Sequence, residues 1–270
     1  MSRTIGIFLG AVLASAITAT LVAKMAAGAA GSDLAARMQK METELSRQKD
    51  IEAIRSLQYA YNYYNSGRLY KQVLDLVSEN AGDMEIAGRG VYRGKEGFAL
   101  NFHPDEDGNV TDKGVEFGFI LHQLAGMDVI TVAEDGLSAQ ARVRVLTVVY
   151  ADFPDTTQRM NGGDYEIRYV KEGDKWLIHS MHYVHNFSVL HEKDGSIVPR
   201  YSTGPDGKAD APTTWYHPYP ETGVLSFHFP NPVTQEFPPD VTGSTRYWIG
   251  NWPGEYGKTG HREPGNTPDE

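Results

Sequence analysis

At 270 residues, with 40% hydrophobic and 22% charged residues, the chain has a globular composition and room for one large or two small domains. A formal net charge of -10, with no cluster of Lys or Arg, excludes a nucleic-acid partner, which would need a basic surface to neutralise phosphates. The absence of cysteine excludes disulfides, thiol nucleophiles and thiolate metal sites while leaving the redox compartment open.

Arg3 precedes an uncharged run from Ile5 to Ala23, and Lys24 and the small-residue tract Ala26 to Ala30 follow. The run is about as long as a membrane span requires, so residues 1–30 are expected to be a signal peptide or membrane anchor. In a bacterial chain that places the rest in the periplasm or otherwise outside the cytoplasm, tethered to the inner membrane if the leader is kept. Leu34, Met38, Met41 and Leu45, at alternating spacings of four and three, predict a helical stalk over 31–49.

From Asp50, read as an N-cap, the spacing of Ile51, Ile54, Leu57, Tyr61 and Tyr64 predicts an amphipathic helix that ends near Asn65-Ser66-Gly67. A second helix is expected over 69–77, a short strand and turn over 82–93, and a third helix over 94–102. The acidic loop from His103 to Gly108 lacks the ligand spacing of a calcium-binding loop and reads as a solvated turn. The stretch from Leu121 to Tyr150 alternates, turns at Glu134-Asp135-Gly136 and alternates again, which predicts a long hairpin. Ala141, Val143, Val145, Thr147 and Val149 share one face, with Gln140, Arg142 and Arg144 on the other. A second hairpin is expected over 163–187, turning at Glu172-Gly173-Asp174. Glu166 and Arg168 would join the arginines on the outer face, where cross-strand charges pair. Helices followed by a meander of strands describe an α+β domain over 50–190. Beyond it, residues 191–270 are rich in proline, glycine and aromatics. They read as an extended arm packed over its own domain or a neighbouring subunit.

Three histidines, His179, His182 and His185, follow one another on the last long strand. Residues three apart on a strand lie on opposite faces, and His179 and His185 would stand about 20 Å apart, so they do not form a metal site. Either His179 or His182 is expected to face a pocket.

The blocks DIEAIRSLQYAYNYYNSGRLYKQVLDLV, GRGVYRGKEGF, LHQLAGMDVITVAEDGLSAQARVRV and GGDYEIRYVKEGDKWLIHSMHY together resemble a SnoaL-like domain of the nuclear transport factor 2-like superfamily. The resemblance covers roughly Asp50 to Asn186. It implies a cone-shaped barrel, in which a strongly curved antiparallel sheet is capped by N-terminal helices around an apolar pocket. It also implies a scytalone dehydratase-like site. Tyr64 and His122 match residues of that site, Asn65 stands where the family has Asp, and Thr147, Gly163 and Tyr165 fall at the other pocket positions. The activity implied is that of a lyase, a dehydratase or a formaldehyde-eliminating enzyme, that needs no cofactor or metal. Its substrate would be a small hydrophobic, aromatic or polyketide-like molecule. In this reading His122 and Tyr64 are catalytic, with His122 as acid and base. Asn65, Thr147, Tyr165 and His179 or His182 hold substrate. The alternative is a noncatalytic ligand-binding or partner-binding module tethered to the membrane. Relatives form dimers or trimers, and the outer-face residues Leu146, Val148 and Tyr150 suit a homo-oligomer contact.

Overall fold

The computed structural model describes the backbone of residues 3–86, 88–102, 104–151, 157–192, 194–199, 207–213 and 224–239; within these, side chains are described from residue 33 on, except those of 157, 198 and 199. The leader 1–30, His103 and most of the aromatic arm therefore lie outside the described side chains. The chain divides into two units, 1–49 and 50–270. Among the described residues, no helix is long and apolar enough to cross a membrane.

Helix α1 runs from Arg3 to Ser66. No proline interrupts it, and Ala, Leu, Met, Glu, Gln, Lys and Arg dominate its second half, all strong helix formers. The helix ends where Arg68 adopts φ 55, while the Gly67 and Leu69 amides bond back to the carbonyls of Tyr63 and Tyr64 at 2.9 Å. Asp50 is not an N-cap. It lies within the helix, buried, and its carboxylate accepts from Trp176 Nε1 at 2.8 Å and Lys171 Nζ at 2.6 Å. Burial opposes the charge on Asp50, but these two donors outweigh it and hold the carboxyl below its usual range.

Two short helices follow in the second unit, α2 (Tyr70–Asp75) and α3 (Gly94–Ala99), the latter continued by a 3₁₀ turn over Leu100–Phe102. Between them lies a small hairpin, β1 (Asp83–Ile86) and β2 (Gly90–Arg93). The long strands are β3 (Phe119–Val132), β4 (Ser138–Ala151), β5 (Thr157–Glu172) and β6 (Lys175–His191), and β7 (Ile197–Pro199) adds to the free edge of β6.

The strands form one sheet in the order β2-β1-β6-β5-β4-β3. It differs from an antiparallel barrel in two respects. Strand β1 runs parallel to β6, and among the described residues no ladder joins β2 to β3, so the sheet is mixed and open. Three interruptions of register bend its strands, between Gly126 and Val129 on β3 and near Gly162/Gly163 and Arg168/Tyr169 where β5 meets β6. The core lies on one face, where Ala141, Val143, Val145, Tyr165, Ile167, Tyr169, Ile178 and Met181 pack with Ile54 and Tyr61 of the helix.

The opposite face carries the charges. Arg142 pairs with Glu166, and Arg144 bonds Asp164 at 2.8 Å. Two pieces of the segment beyond residue 190 are described against the sheet. Ala211 bridges Val91, and the segment over 224–229 lies on the outer face. There Arg142 Nη2 donates to the carbonyls of Leu225 and Ser226 at 3.0 and 2.7 Å, and its guanidinium sits 4.5 Å over the Phe227 ring.

Candidate functional site

The site is set by which side chains the register turns toward α1. Gln123 of β3 opposes Thr147 of β4, Thr147 opposes Asn161 of β5, and Asn161 opposes Ser188 of β6. These four form a polar row across the inner face, extended from the helix by Gln58, Asn62 and Asn65. Gln58 Nε2 donates to Asn62 Oδ1 at 2.9 Å, and Asn65 Nδ2 donates to Gln123 Oε1 at 3.0 Å. Gln123 Nε2 in turn donates to the Tyr165 hydroxyl at 3.3 Å, Tyr169 donates to Gln58 at 2.8 Å, and Ser188 donates to Asn161 at 2.7 Å.

Beside this row stands an aromatic column. Tyr61 meets Tyr165 edge-on at 6.0 Å, Tyr165 stacks on Tyr183 at 4.5 Å, and Tyr183 meets the His185 ring edge-on at 5.0 Å. Burial raises the phenols of Tyr61, Tyr165, Tyr169 and Tyr183 above their usual range, so they stay neutral donors at physiological pH. Burial, and then the charge of Arg159, lowers His185 to about 4, so it stands as a neutral imidazole. Three buried polar atoms here, Thr147 Oγ1, Tyr183 Oη and His185 Nδ1, make no hydrogen bond of good geometry among the described residues, although the Thr147 and Tyr183 hydroxyls lie near enough to each other to interact. Buried polar groups are nearly always paired, so these exceptions make the inner face the candidate site.

Two glycines allow this approach of strands. A Cβ on Gly162 would collide with the Phe187 ring, and one on Gly163 would collide with the Val184 carbonyl oxygen. Gly163 is the direct partner of His185, so this tight crossing places the histidine.

The structure gathers only some of the expected site residues. Asn65 and Tyr165 are bonded through Gln123, and Thr147 is buried in the same row. Tyr64 is half-buried and packs against the core. His122 is not in a pocket. It is exposed on the outer face, opposite Val148, because Gln123 is the residue whose register partner is the inward Thr147. Neither His179 nor His182 faces inward. Each lines an outer-face cleft of about 760 Å³, where His182 Nε2 lies 3.1 Å from Glu85 Oε1. The inward histidine is His185, where His179 or His182 had been expected. An extra residue at His179 places His179 and His182 on one face, and His185, three residues on, takes the other. Gln123 was also missed, although its signal was available in the hairpin register that places Thr147 inward. Among the described residues, no group of three or more His, Asp or Glu could hold a metal ion.

A model of the SnoaL-like domain matches residues 46–182, just over half of the chain. The chain belongs to the SnoaL-like family of the nuclear transport factor 2-like superfamily. Among solved structures, this SnoaL-like chain is similar to a scytalone dehydratase candidate from Novosphingobium aromaticivorans, at 15% identity and a TM-score of 0.46 over 61% of this chain and 98% of that one. It is similar to a type 2 hexachlorocyclohexane dehydrochlorinase at 16% identity and a TM-score of 0.43, covering 61% and 99%. A type 3 dehydrochlorinase from Novosphingobium barchaimii aligns at 12% identity and a TM-score of 0.44, covering 58% and 93%. No curated protein matches the sequence.

Proposed function

We propose that the inner face binds a small oxygenated molecule, aromatic or polyketide-like, and that the protein is a cofactor-independent lyase in which His185, rather than His122, moves the proton. The observation that carries this reading is the trio of unpartnered buried atoms, Thr147 Oγ1, Tyr183 Oη and His185 Nδ1, on one face. Two are hydroxyls able to donate to a substrate carbonyl, and the third is an imidazole nitrogen able to accept a proton. A histidine held near 4 is in its basic form at neutral pH, and once protonated it is a strong acid. His185 would take the proton from a carbon next to the carbonyl, and the C–H electrons would become the new double bond. The imidazolium would then return that proton to the departing hydroxyl, which leaves as water, restoring the neutral histidine. Such a weak base suits only an activated C–H, so the substrate should carry a carbonyl beside the reacting carbon. Asn65 and Tyr165 would position substrate through Gln123, as the family resemblance implies.

A noncatalytic ligand-binding module is the second reading. Every group of the inner row is neutral, and the described partners of His185 include no carboxylate that would orient it. The experiment is a screen of cyclic β-hydroxy ketones and aromatic diols, read by the absorbance of the conjugated product with wild type, His185→Ala and His122→Ala. The lyase reading expects turnover lost in His185→Ala and kept in His122→Ala. Turnover retained in His185→Ala would overturn it, and saturable binding without turnover would favour the second reading.

A further inference from the structure

Residues 33–49 belong to the first unit and form a continuous part of α1. Leu34, Met38, Met41 and Leu45 are 57%, 54%, 70% and 57% exposed, a run of large apolar side chains that nothing in the unit covers among the described residues. Their spacing of four, three and four places them on one stripe, the d-a-d-a seam of a coiled coil, and Gln48 takes the next seam position. The charges flanking the stripe are ordered. Arg37 and Glu44 stand on one flank, at g positions, and Glu42 and Lys49 on the other, at e positions.

We propose that this stripe docks a second copy of the same chain as a parallel, in-register, two-stranded coiled coil. In that pairing Arg37 faces the partner's Glu42, and Glu44 faces the partner's Lys49. The reciprocal contacts repeat both, so every flanking pair is opposite in sign. The amide of Gln48 meets the partner's Gln48 and can bond it, which an antiparallel arrangement would instead set against Gly31. Exposed pairs of this kind contribute little affinity, so they set partner and orientation while the apolar seam supplies affinity. The seam spans barely two heptads, which an isolated peptide would not hold as a helix. Here it lies inside a 64-residue helix, so its nucleation is already met.

The chain contains no cysteine, so single thiols can report the pairing in the full-length protein. Leu34→Cys and Leu45→Cys are made separately, with Thr43→Cys, on the opposite side of the helix, as control. Under mild oxidation each seam variant should form a covalent dimer of twice the chain mass, and the control should stay at the mass of one chain. Antiparallel pairing would cross-link only the mixture of the two seam variants and would overturn the proposed orientation. Cross-linking of the control as efficiently as the seam, or of none of the three, would overturn the coiled coil. Charge reversal in the Leu45→Cys background adds a second reading. Arg37→Glu should lower the dimer yield, and adding Glu42→Arg should restore it. Unchanged yields would remove the role given to the flanking charges.

Discussion

The two faces of the β4-β5-β6 sheet are built from the same strands and solve opposite problems. The outer face buries charge only where it is matched. Arg142 reaches Glu166 and two carbonyls of the arm, Arg144 reaches Asp164, and His228 Nδ1 lies 3.2 Å from Glu166. The inner face holds neutral groups, amides, hydroxyls, phenols and one imidazole, and leaves three of their atoms unpartnered. Matched charges fix an arm in place, whereas unmatched neutral groups remain available to a visitor. The outer face also keeps two imidazole nitrogens, those of His182 and His228, without a hydrogen-bond partner among the described residues, so the inner face differs in being neutral throughout and in gathering its unpartnered atoms beside an aromatic column.

The sharpest way to break the comparison is at the tight crossing that shapes the inner face. Gly163→Ala places a methyl against the Val184 carbonyl and should cost about 3 kcal/mol, read as a lowered denaturant midpoint. A midpoint unchanged from wild type would show that β5 and β6 are not so closely apposed. Arg142→Ala tests the outer face. It strips Glu166 and the Leu225 and Ser226 carbonyls of their shared donor and should cost about 2 kcal/mol. Limited proteolysis within 224–229 should also quicken, and equal cleavage rates would refute the anchoring of that segment by Arg142.

His185 gives the inner face a pH signature. Its folded value of about 4 lies below the ordinary 6.5, so the folded state disfavours the protonated ring. Its contribution to stability is therefore full above 6.5, falls as the pH is lowered from 6.5 toward 4, and levels off below that. Stability measured against pH should show this fall in wild type and lose it in His185→Asn, and identical curves would count against a buried neutral histidine. The smallest effect is expected from Tyr183→Phe. Its hydroxyl makes no hydrogen bond of good geometry among the described residues, so stability should move by less than about 0.5 kcal/mol. Ligand affinity or turnover should fall all the same, and a large loss of stability would reveal a hidden partner.

Much was legible before the fold was known. Alternation in the stretch from Leu121 to Tyr150 identifies the hairpin, and of the face expected to hold Ala141, Val143, Val145, Thr147 and Val149 the first four are buried and Val149 is half-buried, while Arg142 of the opposite face is buried as well. The family blocks identify the SnoaL-like domain; Asn65 and Tyr165 both bond Gln123, and Thr147 is its ladder partner. Local periodicity carries this information because a side chain's face is set by its immediate neighbours, residue by residue.

What only the tertiary structure decided was which histidine enters the site. The extra residue at His179 puts it on the same face as His182, so both line the outer cleft, and His185, three residues beyond His182, turns inward. His122 went outward because the partner of Thr147 in the ladder is Gln123, a relation between strands rather than within one. Asp50 looked like the start of a helix, yet Trp176 and Lys171, more than a hundred residues away, hold it inside one. Period and composition are local properties that the sequence carries by itself. Bulges, register and long-range ion pairs are settled only when distant segments compete for the same space and the same hydrogen bonds.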